Sequence, residues 1–355
     1  MNFDIEKNIT IKDQFKIMIV ILGISCLLFS IVYLVKSCST PSEQVQSDVS
    51  QIDTSDISQP DTSLVSDVIS QESSVPQPSV DLTSEVSSQT LKLENIKYVT
   101  KGHDEIYNGD LILVNKDYEC HHDGEETVSL YENRSSSYGI ANNTVYVNGD
   151  IVDNMNDMFD DFADIYGYTD IMVACAYRSY ATQVRLFNQE VENQGDNAEQ
   201  WVAPPGFSEH QTGYVFDLNL NINNGVSGIK YDGTGIYSWI NQNCYKYGFI
   251  LRYLQGKEDI TGYEYEPWHF RYVGASHATY IMREGITLEE YIDIVHMYSI
   301  DEPLIIDGDD GEQWCVYYVK AADNTTSIPV SADYSYEISG DNFSGFIVTQ
   351  KNKIV

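Results

Sequence analysis

Basic residues are scarce in this 355-residue sequence, which contains 20 Lys and Arg against 54 Asp and Glu. The net charge of −34 excludes nucleic acid and anionic lipid surfaces as favourable partners, because both are themselves negatively charged. The six cysteines show neither zinc-finger spacing nor the pattern of a disulfide framework. The helical His-Glu-x-x-His motif of many metalloproteases is also missing. Any metal chemistry must therefore come from a different set of residues.

Charged side chains are absent from residues 17–35, a stretch bounded by a lysine on each side. At about 1.5 Å per residue, a helix of this length can cross a hydrocarbon core of about 30 Å. Three lysines precede the stretch, namely Lys7, Lys12 and Lys16. No basic residue occurs over 37–91. This asymmetry predicts an uncleaved transmembrane anchor, with residues 1–16 in the cytoplasm and the rest of the chain outside the cell.

Apolar residues are too sparse over 36–91 to form a core, since Ser, Gln, Thr, Asp and Val dominate the segment. The composition predicts a disordered linker. A main globular domain is expected over 92–300. Short strands separated by Gly, Asp, Asn and Pro then predict a small C-terminal β module over 301–355, which either covers the main domain or binds a wall polymer.

Strands and helices are mixed in the main domain without a βαβ rhythm, which indicates an α+β fold. The sequence predicts a strand over 111–114 and a hairpin over 145–152 that turns at an Asn-Gly pair. Apolar residues at helical spacing predict a helix over 155–165 that ends at Gly167. A capping box from Thr287 to Glu290 predicts the start of another helix.

Two further segments alternate as half-buried strands do. Residues 215–220 place Asp217 on the face opposite Phe216, and residues 268–273 place His269 opposite Phe270. If the two strands share a sheet, Asp217 and His269 can meet on its open face.

His210, Asp217 and His269 together suit a catalytic zinc ion, which takes three protein ligands and keeps one position open. Glu266 is placed to act as the general base beside that metal. Each residue alone has an ordinary alternative: a hydrogen-bonded histidine, a capping aspartate or a solvated acid. The combination favours the metal site, and Pro267 excludes a helical arrangement of the second motif.

The motifs Ser208-x-His210-x-x-Gly213-x-x-x-Asp217 and Glu266-x-Trp268-His269 resemble those of the VanY-type D-alanyl-D-alanine carboxypeptidases, zinc peptidases of the M15 type that include L,D-carboxypeptidases. Blocks at 108–116, 177–183 and 247–253 extend the resemblance over about 92–300. One departure is the segment Tyr214-Val215-Phe216 before the aspartate, where a smaller residue is usual. The resemblance implies a small antiparallel sheet flanked by helices and a Zn²⁺ cofactor.

The resemblance also implies roles for residues outside the predicted ligand set. Arg178 would stabilise the oxyanion, although a structural ion pair is an alternative for it. The peptide site would be lined by Ser179, Gln183, Ser208 and Trp268. The implied activity is removal of the terminal residue from peptidoglycan stem peptides. An L,D-carboxypeptidase, a peptidoglycan endopeptidase and a wall-binding module on an inactive zinc scaffold remain alternatives, and the presence of Glu266 weighs against the last.

Overall fold

The structure is a computed structural model that describes residues 93–124, 126–221, 229–309 and 311–352. These residues belong to one compact unit, Thr83–Val355. Within the described ranges, no helix combines the length and the apolar character needed to cross a membrane. The predicted anchor at 17–35 and the predicted linker at 36–91 lie outside the described residues.

Short strands and helices alternate along the described chain. The strands are β1 (Ile96–Gly102), β2 (Thr127–Ser129), β3 (Gly139–Ile140), β4 (Tyr146–Asn148), β5 (Ile171–Cys175), β6 (Val215–Leu220), β7 (Ile229–Lys230), β8 (Phe249–Leu251), β9 (His269–Tyr272), β10 (Leu304–Asp307), β11 (Gln313–Lys320), β12 (Thr325–Ser331), β13 (Tyr336–Gly340) and β14 (Gly345–Asn352). The α-helices are α1 (Leu130–Asn133), α2 (Val152–Tyr166), α3 (Tyr180–Gln194), α4 (Ser238–Asn243), α5 (Glu258–Thr261), α6 (Ala275–Glu284) and α7 (Leu288–Val295). Small sheets with flanking helices confirm a mixed α and β architecture.

The central sheet has the strand order β3-β5-β6-β9-β8, and β7 also pairs with β6. Its pairings are antiparallel except for the parallel pair of β3 and β5. In the β6–β9 ladder, Phe216 is opposite Phe270 and Asp217 is opposite His269. The expectation that these two strands share a sheet is therefore confirmed.

One face of this sheet packs against α2. Phe216 and Phe270 belong to the same hydrophobic cluster as Met155 and Phe159 of the helix. The helix ends at Gly167, whose φ of 73° lies in the left-handed region that favours glycine. The predicted helix is thus present, and its methionines are core residues.

The other face is less open than the alternation alone suggested. Ile250 and Val273 on this side share a second cluster with Ile281 of α6 and Tyr291 of α7. Arg271 is also completely buried there. Since helices cover much of this face, Asp217 and His269 lie in a cleft rather than on an open surface.

The C-terminal strands form a sheet of order β10-β11-β14-β13. Strand β12 instead pairs with β1 in a separate two-stranded sheet. Val316 and Ile347 of the four-stranded sheet join the cluster formed by α6 and α7. The proposed domain division between residues 300 and 301 stays a prediction.

Two local predictions were wrong. Residues 111–114 are buried but form no strand, and the amide of Leu113 donates to the carbonyl of Asp341. The predicted hairpin is also missing, because β4 pairs with β2 and Gly149 opens a helical turn. Asn148 accepts a hydrogen bond from the amide of Asp150, so the Asn-Gly pair starts a helix rather than closing a hairpin.

Candidate active site

Three predicted metal ligands come together in the middle of the central sheet, where β5 ends and β9 begins. Asp217 and His269 are brought together by the β6–β9 ladder, with 2.9 Å between Asp217 Oδ1 and His269 Nδ1. His210 lies on the 3₁₀ turn Glu209–Thr212 just before β6, and its Nε2 is 3.4 Å from Asp217 Oδ2. The turn ends at Gly213, whose φ of 76° lets the chain enter β6 directly.

The two imidazole rings are oriented by groups behind them. His210 Nδ1 lies 2.6 Å from the carbonyl oxygen of Ala176, so this nitrogen carries the proton and Nε2 is left to bind a metal. His269 Nε2 faces Glu209 Oε2 at 3.6 Å, which directs Nδ1 toward Asp217. The rings meet edge to face with their centroids 5.1 Å apart. One nitrogen of each imidazole therefore lies close to the Asp217 carboxylate.

The donor atoms fit a zinc ion. Asp217 Oδ1 is buried and has no hydrogen-bond partner among the described residues, although His269 Nδ1 lies close to it. Burial and Arg178 lower the pKa of His210, but Asp217 and Cys175 outweigh them and raise that pKa to about 10. The site therefore attracts a cation, and two imidazoles with one carboxylate are ligands typical of catalytic zinc.

Glu266 stands next to the predicted ligand His269. Its Oε2 is 3.6 Å from His269 Nδ1, and its side chain retains 29% exposure. Burial raises the pKa of Glu266, an effect that His269 opposes and Asp217 reinforces. A carboxylate with a raised pKa is a better proton acceptor near neutral pH, which suits a general base.

Arg178 follows the end of β5 and lines the same cleft. Its guanidinium donates to Gln183 Oε1 at 2.9 Å and to Cys175 Sγ at 3.3 Å. In the described part of the chain, no carboxylate forms an ion pair with it. The guanidinium therefore keeps its positive charge available to the cleft.

The four predicted substrate contacts have different positions. Ser208 and Trp268 line the cleft. Ser179 instead caps α3 by accepting a hydrogen bond from the amide of Thr182 at 3.2 Å. Gln183 is fully buried, where it donates to the carbonyl of Ala203 and accepts from Arg178. Substrate contact by Ser179 and Gln183 stays a prediction, and the structure shows both supporting the segment that carries Arg178.

Sequence reasoning assigned no role to Glu209, the residue between Ser208 and His210. Glu209 Oε1 accepts hydrogen bonds from Arg252 Nε at 2.8 Å and from an Arg271 terminal nitrogen at 2.9 Å. Arg252 also makes a two-pronged ion pair with Glu289. Both guanidinium groups are completely buried. The network holds Glu209 Oε2 beside His269, and no spacing pattern in the sequence indicated it.

Cys175 was also overlooked, because its distance in sequence from the histidines hides its position at the end of β5. Ligand atoms of Cys175, His210 and Asp217 all lie within 4.8 Å of one another. The sulfur is 3.8 Å from His210 Nδ1, the nitrogen that faces the Ala176 carbonyl rather than Asp217. Cys175 therefore lies opposite Asp217 in the β5–β6 ladder and beside His210 Nδ1, and its sulfur accepts a hydrogen bond from Arg178.

The side chains surround a cleft of about 350 Å³. Tyr253 and Tyr263 form one wall, and the Tyr253 ring lies 4.9 Å from that of His269. The cleft continues past the catalytic residues to the face of α3 and to Trp201. The volume lies near the low end of the range of about 300 to 1,000 Å³ that is typical of small-molecule sites.

Known proteins are similar to this chain in sequence. Residues 144–275 match the family model VanY, described as D-alanyl-D-alanine carboxypeptidase. A D-alanyl-D-alanine carboxypeptidase of Enterococcus faecium is 32% identical over 260 residues, which cover 72% of this chain and 80% of the relative. Putative carboxypeptidase YodJ of Bacillus subtilis strain 168 is 38% identical over 215 residues, 60% of this chain and 78% of the relative.

A solved structure agrees with the sequence matches. The vancomycin resistance D,D-dipeptidase VanXYg, in complex with a D-Ala-D-Ala phosphinate analogue, superimposes with a TM-score of 0.64. The match has 30% identity and covers 72% of this chain and 99% of that structure. Sequence and structure therefore place the chain in the VanY family of D-alanyl-D-alanine carboxypeptidases, which are peptidases.

Proposed function

We propose that this protein is a zinc-dependent D-alanyl-D-alanine carboxypeptidase that removes the terminal residue of peptidoglycan stem peptides. The observation that carries the proposal is the placement of both histidines on the Asp217 carboxylate: His210 Nε2 lies 3.4 Å from Oδ2 and His269 Nδ1 lies 2.9 Å from Oδ1, with Glu266 Oε2 3.6 Å from His269 Nδ1. Membership of the VanY family indicates which bond is cleaved, namely the D-alanyl-D-alanine peptide bond. The ligand residues and the zinc are inferred from the donor chemistry.

Proton movement is the task of Glu266. When bound by His210, Asp217 and His269, zinc supplies Lewis-acid polarisation and makes a water molecule more acidic. Glu266 accepts the proton of the attacking water at Oε2, because its raised pKa increases its affinity for a proton. The same carboxyl group then donates this proton to the leaving amine. The scissile C–N bond breaks as the amine departs as free D-alanine.

Charge stabilisation is the task of Arg178. Negative charge develops on the scissile carbonyl oxygen during attack, and a fixed cation in a partly dry cleft stabilises it. Hydrogen bonds to Gln183 and Cys175 hold the guanidinium in place. Glu209, held by two buried arginines, keeps the His269 ring oriented with Nδ1 toward Asp217.

We further propose that the catalytic unit acts outside the cell on the wall, anchored by residues 17–35. Support comes from the sequence alone: this uncharged stretch follows three lysines, and no basic residue occurs over 37–91. A polar linker of about 55 residues would reach roughly 40 Å as a flexible coil. The catalytic unit would then reach the wall while the anchor stays in the membrane.

Mass spectrometry of muropeptides incubated with the zinc-loaded chain tests the proposed activity. Conversion of pentapeptide stems to tetrapeptide stems with release of free D-alanine is the expected result. Conversion of tetrapeptides to tripeptides would instead identify an L,D-carboxypeptidase. Loss of cross-linked dimers would identify an endopeptidase. Unchanged muropeptides in the presence of bound zinc would support the inactive wall-binding scaffold.

A further inference from the structure

The cleft has an arm that the two catalytic motifs do not account for. Leu186, Gln189 and Glu190 line it from α3, and Trp201 lines it from the following loop. Leu186 and Glu190 are four residues apart in the helix and therefore share one face. We propose that this arm, defined here by Leu186, Glu190 and Trp201, binds a primary-amine side chain of the substrate on the N-terminal side of the scissile bond. The inference rests on the proposed carboxypeptidase function.

The direction of the substrate follows from that function. A carboxypeptidase that releases one D-alanine needs room for only one small residue beyond the scissile bond. The rest of the peptide must leave the catalytic residues in the N-terminal direction. The cleft of about 350 Å³ continues from His269 and Glu266 to Trp201, so this arm is placed to receive that part of the peptide.

The chemistry of the arm suits a long side chain that ends in an ammonium group. Trp201 is 69% exposed, and a large indole surface in a cleft favours contact with an aliphatic chain. Its ring face also attracts a cation. Leu186 adds apolar surface, and Glu190 supplies a carboxylate on the same helical face. Lysine and diaminopimelate side chains combine an apolar stem with a charged amine in this way.

Charge complementarity points the same way. Among the described residues that line the cleft, Arg178 is the sole Lys or Arg, and Gln183 and Cys175 already hold its guanidinium. Apart from Arg178 and the two histidines, the charged side chains of the lining are carboxylates, and Glu190 is the one that lies outside the two catalytic motifs. The excess of 54 acidic over 20 basic residues in the chain adds a general attraction for cationic peptides.

Three peptides separate the contribution of the arm from that of the catalytic residues. The first is Nα-acetyl-L-Lys-D-Ala-D-Ala with a free side-chain amine, the second carries an acetylated side-chain amine, and the third is N-acetyl-D-Ala-D-Ala. Zinc-loaded full chain should show a kcat/KM about three- to tenfold higher for the first peptide than for the second, mainly through KM. Added salt should reduce this preference.

Two variants assign the preference to named residues. Glu190→Gln should bring the ratio between the free and acetylated peptides close to one. Trp201→Ala should lower kcat/KM for both lysine peptides relative to the two-residue peptide. Glu192→Gln is the matched control, since Glu192 lies on the same helix, is exposed and does not line the cleft. It should leave the ratio between free and acetylated peptides at the wild-type value.

Binding measured without turnover distinguishes failure of this inference from failure of the proposed function. Isothermal titration of zinc-loaded Glu266→Gln chain with the first two peptides should show the same preference for the free amine. If wild-type chain hydrolyses both lysine peptides equally well, or if Glu190→Gln and Glu192→Gln behave alike, the proposed subsite is wrong. If no peptide is hydrolysed but the binding preference is present and depends on Glu190, the subsite stands and the carboxypeptidase function falls.

Discussion

Asp217 and His269 are directly opposite each other in an antiparallel ladder, and 2.9 Å separates Asp217 Oδ1 from His269 Nδ1. The two residues are far apart in sequence, yet the pairing register of two short strands fixes the positions of both side chains. A shift of one residue in either strand would turn one of the side chains to the opposite face of the sheet. The proposed metal site therefore depends on the core residues Phe216 and Phe270, which pair next to it and hold that register.

Zinc retention tests the ligand assignment. His269→Ala should lose stoichiometric zinc during dialysis, because removing a ligand costs more affinity than the roughly 10- to 100-fold typical of changes to groups behind the ligands. Cys175→Ser should keep its zinc, since Cys175 Sγ lies beside Nδ1 of His210, whereas Asp217 Oδ2 lies beside Nε2, the nitrogen proposed to bind zinc. Elemental analysis of both dialysed variants provides the measurement. The ligand assignment would be wrong if His269→Ala kept stoichiometric zinc, or if Cys175→Ser were the only variant to lose it. Either result would mean that Cys175, rather than His269, is the third zinc ligand.

The role of Glu266 as general base is tested by measuring turnover in a variant that still binds zinc. Glu266→Gln should retain zinc and the fold but lose about 10²- to 10⁴-fold in kcat, because the amide cannot accept a proton. Glu264→Gln is the matched control: Glu264 is exposed, close in sequence and outside the cleft lining. Release of D-alanine and zinc content should be measured on the same samples. Equal rates for wild type and Glu266→Gln would make Glu266 a structural acid.

Alternation of side chains predicted which faces Asp217 and His269 occupy, because strand periodicity is a local property. The motifs likewise predicted the cleft positions of Ser208 and Trp268. Sequence could not show that helices α6 and α7 bury Arg271 on the same face, since that depends on packing between distant segments. The predicted hairpin failed for a local reason: Asn148 caps the turn leading into α2.

The buried ion network also lay beyond sequence reasoning. Glu209 is adjacent to His210, but only the folded chain brings Arg252 and Arg271 to it. Cys175 is a similar case, since the end of β5 places its sulfur behind His210. Partners contributed by three or more separate segments leave no spacing pattern in the sequence. They become predictable only when strand order and register are known.

Removal of the charge on Glu209 tests the importance of this network. Glu209→Gln should lower the free energy of unfolding by about 3 to 5 kcal/mol, because it leaves two buried guanidinium groups without their shared carboxylate. Urea unfolding of the zinc-free chain measures the effect independently of metal binding. Glu290→Gln is a useful comparison, since its pair with Lys257 is about 30% exposed and should contribute at most about 1 kcal/mol. Equal losses in the two variants would contradict a dominant role for the buried network.

Membrane topology is tested by protease added to intact cells stripped of their wall. A catalytic unit outside the cell should be released as a soluble zinc-containing fragment, because the polar segment 36–91 is readily cut. Cells with permeabilised membranes serve as the comparison. Cleavage seen only after permeabilisation would invert the topology and place the peptidoglycan substrate out of reach. Release without protease would show that residues 17–35 are processed as a signal peptide.

Release of D-alanine before and after removal of zinc tests the central claim most directly. Zinc-loaded chain should release free D-alanine from a pentapeptide stem, chelator-treated chain should not, and stoichiometric zinc should restore the rate. Circular dichroism of the stripped chain checks that its fold is intact. Restoration should fail in His210→Ala, since the third ligand is then missing. Undiminished release of D-alanine by folded, zinc-free chain would contradict the assignment of this cleft as a zinc carboxypeptidase site.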